Sequence, residues 1–361
     1  MHVARSPVSL LISYKFPGLT CLTQVKKDLS PTSFSDSRVK GKVAKSIDLV
    51  TESIDLHETS LIGSCHGLIC LFGRKNSKTY IINPLFGSNN GFVMLPELHK
   101  GVESLKVVPT FYVWGFGYCP KTKQYKVIRS IRNTSMVYVY TLGTDDSWRI
   151  IKDHIVPTDR FTSGLPGVYL NGSLHWLTCL KIKSDDRKPE IYCFDLDSER
   201  FHQLDHDLLP QIPQGWGRTK LEGLKLGVLD NCLALYINGF YFQQGYFSNF
   251  DIWVMKNETS SWVNIFRISE VVAVSSVWSR IEPLMLTEDG KVLITYNDED
   301  RSLEYYDVRT GMFLANRTLS RLIEKRSRTS DRRYIGHVST SILSPQYMRQ
   351  STNQDNQIWS C

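Results

Sequence analysis

The chain has 361 residues, of which 42% are hydrophobic and 22% are charged, and these values are typical of a soluble globular protein. Its apolar runs are too short to cross a bilayer, so the composition excludes a membrane-spanning protein. The net charge of +7 arises mainly between Arg317 and Arg333, whereas a nucleic-acid-binding protein more often spreads basic and aromatic residues over one face.

The N-terminal segment predicts no secretion signal. Its apolar stretch "VSLLISY" is short, is followed by Lys15 and Pro17, and has no small-residue cleavage site. The eight cysteines contain no C-x-x-C spacing and stand mostly among apolar residues, as free buried thiols do. We therefore expect a cytoplasmic or nuclear protein without disulfides.

The stretch "GSCHGLICL" at 63–71 carries two cysteines and a histidine, which raises the question of a metal site. A structural zinc site needs about four ligands, and no second Cys/His pair of suitable spacing lies nearby. We interpret Cys65-His66-Gly67 as a bend and the residues after it as a buried strand. The sequence therefore predicts neither a metal nor a cofactor.

Two kinds of hairpin unit alternate along the rest of the chain. In the first kind, two extended segments flank a turn such as Asn171-Gly172, Asp230-Asn231 or Asp289-Gly290, whose residues tolerate the positive φ of tight hairpin turns. These units occupy 167–179, 226–237 and 283–296. In the second kind, alternating aromatic and hydrophobic residues precede a polar turn and a further aromatic residue. The second units occupy 80–96, 137–151, 191–204, 251–266 and 303–316.

Four strands in every 50 to 60 residues or so are the pattern of a β-propeller, which protects the edges of its sheets by radial repetition. We therefore predict an all-β, β-propeller-like array of about six antiparallel blades. Only 316–328, with Leu319, Leu322 and Ile323 at helical spacing, resembles a helix. It predicts a short basic C-terminal helix or loop.

An aromatic-rich stretch at 237–250, "INGFYFQQGYFSNF", is the best candidate for a partner-binding surface, because aromatic and arginine side chains dominate binding hot spots. The alternative is that half of these rings are core residues of a strand pair. The segment "GWGR" at 215–218 adds one further aromatic residue and one arginine. The candidate residues are Trp216, Arg218, Phe240, Tyr241, Phe242, Tyr246 and Phe247.

Clustered acidic residues and histidines raise the alternative of an enzyme. Asp195, Asp197 and Glu199 form one acidic group and 298–300 another, and paired carboxylates are what a glycosidase uses. Hairpin turns favour Asp and Glu for their own reasons, however. His202 and His206 have the spacing of a metal pair on a helix, but they lie in an extended segment and loop. We predict no catalytic residues and no metal ligands.

Taken in order, several motifs resemble the plant F-box-associated domain of type 1. They are "GSCHGLICL", "NPLFG", "WGFGYCPKTKQYKVIRS", "GVYLNGSLHWLT", "IYCFDLDSERF", "LGVLDNCLALY", "DIWVMKN" and "PLMLTEDGKVLITY". The resemblance runs from about residue 40 to 345. We expect residues 1–40 to be an N-terminal remnant or linker leading into the first strands, 41–345 to be the propeller domain and 346–361 to be a flexible tail.

The resemblance implies a non-catalytic substrate receptor of an SCF-type cullin-RING ubiquitin ligase. In that family a helical F-box docks on the Skp-type adaptor of the cullin complex, and the associated domain captures the target protein. The opening residues "MHVARSPVSLLISYKFPGLT" do not match an F-box, so adaptor and cullin are expected as partners only if an F-box lies upstream. The alternatives are a competitor or scaffold that lacks the F-box, and a propeller enzyme such as a glycosidase.

Overall fold

The computed structural model describes the strands and many of the turns between them. The described residues are 9–16, 19–26, 46–48, 59–66, 68–73, 76–82, 92–98, 112–131, 136–152, 166–181, 187–204, 209–210, 224–240, 247–256, 261–268, 281–286, 290–297, 302–318 and 341–343. All their regular structure is β-strand, in six four-stranded antiparallel sheets. The predicted β class and sheet number are confirmed.

Two compact units divide the chain. The first comprises Met1–His154, Leu196–Glu199 and Asp331–Cys361, and the second comprises Ile155–Asp195 and Arg200–Ser330. Each unit holds three of the six sheets. No described helix is long and apolar enough to cross a membrane.

One sheet of the first unit joins strands from both ends of the chain. Its order is β24-β1-β2-β3, and β1 pairs antiparallel with β24 through Ser9↔Leu343 and Leu11↔Ser341. Two of its strands lie within the segment expected to be a linker. The strands are β1 (Ser9–Phe16), β2 (Leu19–Lys26), β3 (Ser46–Asp48) and β24 (Ser341–Leu343).

The other two sheets of the first unit follow the order of the chain. One contains β4 (Thr59–Cys65), β5 (Leu68–Gly73), β6 (Thr79–Ile82) and β7 (Phe92–Met94). The next contains β8 (Tyr112–Cys119), β9 (Gln124–Ile131), β10 (Met136–Thr141) and β11 (Arg149–Lys152).

Between these two sheets lies a buried arginine. Arg129 on β9 is 3% exposed, and its guanidinium carbon is 4.8 Å from the ring centre of Trp114 and 5.3 Å from that of Phe72. A guanidinium packs on aromatic faces through cation–π attraction and through its flat shape. The arginine therefore links the β4–β7 sheet to the β8–β11 sheet.

The second unit repeats the same order three times. Its first sheet contains β12 (Val168–Leu170), β13 (Ser173–Lys181), β14 (Arg187–Asp195) and β15 (Arg200–Gln203). The second contains β16 (Leu224–Leu229), β17 (Cys232–Phe240), β18 (Phe247–Lys256) and β19 (Ser261–Ile268). The third contains β20 (Ile281–Leu286), β21 (Val292–Asn297), β22 (Ser302–Asp307) and β23 (Phe313–Thr318).

The predicted hairpin units correspond to pairs of neighbouring strands. The first kind forms β12–β13, β16–β17 and β20–β21, and the second kind forms pairs such as β10–β11 and β14–β15. The turn residues Asn171, Gly172, Asp230 and Asn231 all have positive φ, as tight hairpin turns require. Turn chemistry and period-two alternation thus located the strands correctly.

The helix predicted at 316–328 does not begin at Asn316. The first three residues of that segment, 316–318, belong to β23, where Asn316 pairs with Glu304 and Arg317 with Leu303 of β22. Cross-strand pairing here outweighs the local helical spacing. The rest of the predicted helix, like the predicted tail at 346–361, lies outside the described residues.

Candidate partner-binding surface

The candidate aromatic segment coincides with the end of the β17–β18 hairpin. On its two sides, pairing stops at Leu224↔Ile237 with β16 and at Phe250↔Ile268 with β19. The central strands continue past this point to Phe240↔Phe247, with a register shift between Asn238 and Phe240. The end of the β17–β18 hairpin therefore lacks strand partners on both sides within the described residues of this sheet.

Two of the predicted site residues define the end of this hairpin. Phe240 is the last residue of β17, Phe247 is the first of β18, and the two are paired. Trp216, Arg218, Tyr241, Phe242 and Tyr246 lie outside the described residues. The prediction that these seven residues contact a partner stays a prediction.

Phe250, at the base of the same hairpin, is a core residue. Its side chain is 3% exposed and belongs to a buried cluster with Tyr236, Phe266 and Tyr306. The alternative that part of the aromatic segment is core is therefore correct at Phe250. Phe250 is therefore not a candidate for partner binding.

The stretch "GSCHGLICL" is a bend and a buried strand, as interpreted from the sequence. His66 has a φ of 48°, and Cys65 and Cys70 are 4% and 0% exposed. Burial raises the pKa of the Cys70 thiol and lowers the pKa of His66. The His66 ring packs edge-on against Tyr118, with the ring centres 4.7 Å apart. The imidazole therefore contributes to an aromatic cluster at the turns of the first unit.

Two of the acidic residues weighed for catalysis are held by cations of the first unit. Glu199, with a φ of 53°, accepts hydrogen bonds from Lys126 Nζ at 2.7 Å and from Arg149 Nη2 at 2.8 Å. Lys126 Nζ also donates to the carbonyl oxygen of Leu196 at 2.6 Å. Asp197 pairs with Lys121 at 2.7 Å. The contacts of Lys126 and Arg149 fix a turn residue whose left-handed backbone conformation is costly without such support.

Electrostatics at this turn argue against a general acid. Burial of Glu199 raises its pKa, but the hydrogen bonds and charges of Arg149 and Lys126 outweigh burial, so the net pKa is lowered. The pKa of Arg149 is raised chiefly by its hydrogen bond to Glu199. A glycosidase acid needs a raised pKa so that it keeps its proton. The second acidic group, 298–300, lies outside the described residues.

A pH-dependent contribution to stability follows from Glu199. Because its pKa is lower in the folded protein than in the unfolded chain, the contribution is present above the ordinary value of 4.5 and is lost as the pH falls through the folded value. We expect Glu199→Gln to remove this dependence. Plots of unfolding free energy against pH, from urea titrations, should be flatter for the variant below about pH 5. If the plots for the wild type and Glu199→Gln run parallel below about pH 5, Glu199 is not the source of the pH dependence.

His202, considered for a metal pair with His206, lies on a strand. It is on β15, opposite Cys193, which in turn is opposite His175 on β13. Burial is the main cause that lowers the pKa of His175 to about 4, and burial raises the pKa of Cys193 to about 11. Sequence reasoning missed this row because it spans three strands. No group of three or more potential metal ligands occurs among the described residues, and His206 is outside them.

Comparisons with known proteins identify the family. The model of the F-box associated beta propeller domain matches residues 22–327. The Arabidopsis thaliana F-box protein At3g07870 is 27% identical over 299 residues, covering 71% of this chain and 65% of that protein. The F-box/kelch-repeat protein At3g23880 of the same plant is 24% identical, covering 70% and 62%.

The chain thus spans slightly less than two thirds of the length of these relatives. Among solved structures, a chain of a nidogen/laminin complex is 11% identical with a TM-score of 0.45, covering 87% of this chain and 94% of that one. The family match extends over most of the chain and agrees with the six antiparallel sheets. The chain belongs to the F-box associated β-propeller domain family.

Proposed function

We propose that this chain is the substrate-recognition module of an SCF-type ubiquitin ligase, which binds a target protein without catalysing a reaction. The observation that carries the proposal is the family match over residues 22–327, together with relatives named as F-box proteins. In this role the domain holds its target beside a ubiquitin-charged enzyme. Tethering raises the effective concentration of the target, and this accelerates transfer without any new chemistry in the receptor.

The β17–β18 hairpin is the part of the described structure best suited to bind a target. It extends past its flanking strands, and its end and connection carry the aromatic residues Phe240, Tyr241, Phe242, Tyr246 and Phe247. Tyrosine and tryptophan are enriched in hot spots, and a few such residues carry most of the binding energy. We propose that these rings, with Trp216 and Arg218, form the target-binding surface.

Replacing Tyr241, Tyr246 and Phe247 together with alanine should abolish target capture while the fold stays intact. Each hot-spot ring contributes about 2 kcal/mol or more, so the triple variant should lose well over tenfold in affinity. The measurement is affinity purification of the tagged full chain from plant cells, with quantitative mass spectrometry of the proteins it retains.

The matched control replaces three exposed apolar side chains elsewhere, Met94, Ile150 and Phe313, with alanine. Proteins retained by the wild type and the control but lost from the hairpin variant are the targets. Equal recovery from all three chains would refute the hairpin as the binding surface. A large drop in melting temperature of the hairpin variant would show that its rings belong to the core.

We also propose that this β-sheet domain does not itself bind the Skp-type adaptor. The resembled family uses a helical F-box for that contact, whereas the described regular structure of this chain is β-strand. Isothermal titration of the purified full chain with the adaptor should give no binding heat. Affinity in the micromolar range or tighter would mean that this chain contains an adaptor-binding segment.

A further inference from the structure

The side chain of Met136 is exposed at the start of β10, and its sulfur accepts a hydrogen bond. The hydroxyl of Tyr138, two residues along the strand, donates to Met136 Sδ at 3.5 Å. Tyr138 is 2% exposed and Met136 is 46% exposed, so the thioether covers the tyrosine hydroxyl on one side and meets water on the other. The backbone is held as well, because Ser130 Oγ donates to the carbonyl oxygen of Met136 at 3.0 Å.

This contact makes the two sides of the sulfur atom different. A thioether sulfur carries two lone pairs and is a weak hydrogen-bond acceptor. One lone pair of Met136 is engaged by Tyr138 on the buried side, which leaves the other for reagents that arrive from water. Because Tyr138 is buried in the sheet, the same side of the sulfur is always the blocked one.

Two other exposed methionines provide a comparison within the same chain. Met94 on β7 is 49% exposed, and Met312, just before β23, is 66% exposed, so an oxidant in solution reaches all three sulfurs. Within the described part of the chain, neither Met94 nor Met312 has a side-chain hydrogen bond. Their sulfurs therefore have no side that a bound hydroxyl blocks.

We propose that Met136 is a site of reversible oxidation, at which hydrogen peroxide forms a single epimer of methionine sulfoxide. The lone pair on the water side attacks one oxygen of the peroxide, and the S–O bond forms as the O–O bond breaks. The proton on the attacked oxygen passes to the departing hydroxide, which leaves as water. The sulfur is oxidised by two electrons and the peroxide is reduced. Because the sulfur is attacked from one side only, the sulfoxide has one configuration.

A single configuration decides how the modification is reversed. Each sulfoxide epimer is reduced by its own class of methionine sulfoxide reductase, so one class is sufficient to restore Met136. In that step two thiols of the reductase become a disulfide, and the sulfoxide oxygen leaves as water.

Oxidation of Met136 changes the surface of the β10–β11 pair. Tyr138 is opposite Ile150 of β11, so Met136 is the diagonal neighbour of Ile150 on the same face of the sheet. Ile150 is also exposed. Oxidation makes an apolar side chain polar, and the new oxygen enters on the water side, so the fold need not rearrange. The modification therefore acts on what this exposed apolar pair contacts.

The test treats the full wild-type chain with dilute hydrogen peroxide, digests it, and follows the peptides that contain Met136, Met94 and Met312 by mass spectrometry. The digest is then incubated with a reductase specific for one sulfoxide epimer, or with one specific for the other. One of the two should remove nearly all the sulfoxide at Met136. Each of them should remove about half of the sulfoxide at Met94 and at Met312.

The variant Tyr138→Phe removes the hydroxyl that blocks one side of the sulfur. Its Met136 sulfoxide should be a mixture, of which each reductase removes about half. An epimer mixture at Met136 of the wild type, or oxidation of Met94 and Met312 without oxidation of Met136, would overturn the proposal, and neither result requires the variant to fold. A single epimer in folded Tyr138→Phe would reject the role of Tyr138.

Discussion

Replacing Lys126 with methionine should lower the free energy of unfolding by about 3 kcal/mol. The Lys126 side chain is 6% exposed and is bound to Glu199, whose side chain is 17% exposed. The substitution also removes a hydrogen bond from the Leu196 carbonyl. Removing one member of a buried pair typically costs 3 to 5 kcal/mol or so. The lower figure applies because Arg149 still compensates the charge of Glu199. Methionine keeps the length of the side chain, so lost packing contributes little.

Arg149→Met is the matched control for this prediction. Arg149 binds the same carboxylate with two nitrogens, but its side chain is 42% exposed. Water and salt screen such a pair, and exposed pairs contribute about 1 kcal/mol or less. Urea titrations at neutral pH should therefore rank Lys126→Met well below Arg149→Met in stability. Equal losses would mean that burial does not decide the strength of this network.

Local sequence signals located the strands and turns because the physics behind them is local. Asn171-Gly172 and Asp230-Asn231 tolerate positive φ, and the structure places both pairs there. The stretch "IYCFDL", in which Ile191, Tyr192, Cys193 and Phe194 are all buried, is rich in the branched and aromatic residues that favour strands. Both signals depend only on neighbouring residues, so strands and turns could be predicted from short segments of the sequence.

The ion-pair network of Glu199 was not predictable in this way. Glu199 and Lys126 are 73 residues apart in sequence, and each resembles an ordinary solvated residue in its own segment. Asp and Glu in a hairpin turn are expected on local grounds. Nothing in "KQYKVIRS" separates Lys126, which is buried, from Lys123, which is exposed. Only the pairing of strands brings the two charges together.

The length of the β17–β18 hairpin was also hidden in the sequence. Residues beyond Ile237 and before Phe250 continue the same aromatic pattern as the core, so composition does not reveal where the flanking strands stop. That limit is set by the positions where pairing with β16 and β19 stops among the described residues, at Leu224 and Ile268. The candidate site was therefore predictable as an aromatic segment but not as a hairpin that extends from a sheet.

Phe250→Ala should destabilise the protein by about 3 to 5 kcal/mol, whereas Phe247→Ala should leave stability nearly unchanged and weaken target capture. Phe250 is 3% exposed within a cluster that includes Phe266 and Tyr306, so its truncation leaves a cavity among large side chains. Phe247 lies at the hairpin end, past the last residue paired with β19. The two substitutions delete the same atoms from one strand, so the difference between them measures position alone.

Thermal and urea unfolding measure the first effect, and affinity purification of the tagged chain measures the second. A loss of 3 kcal/mol or more is a large part of the 5 to 15 kcal/mol or so that stabilises a typical domain. The melting temperature of Phe250→Ala should therefore fall by several degrees. The melting temperature of Phe247→Ala should equal that of the wild type. If Phe247→Ala unfolds as early as Phe250→Ala, the core extends to the end of the hairpin, and the target-binding surface must lie elsewhere. If Phe247→Ala keeps both stability and capture, Phe247 makes no important contact with the target, and Tyr241 and Tyr246 become the residues to test singly.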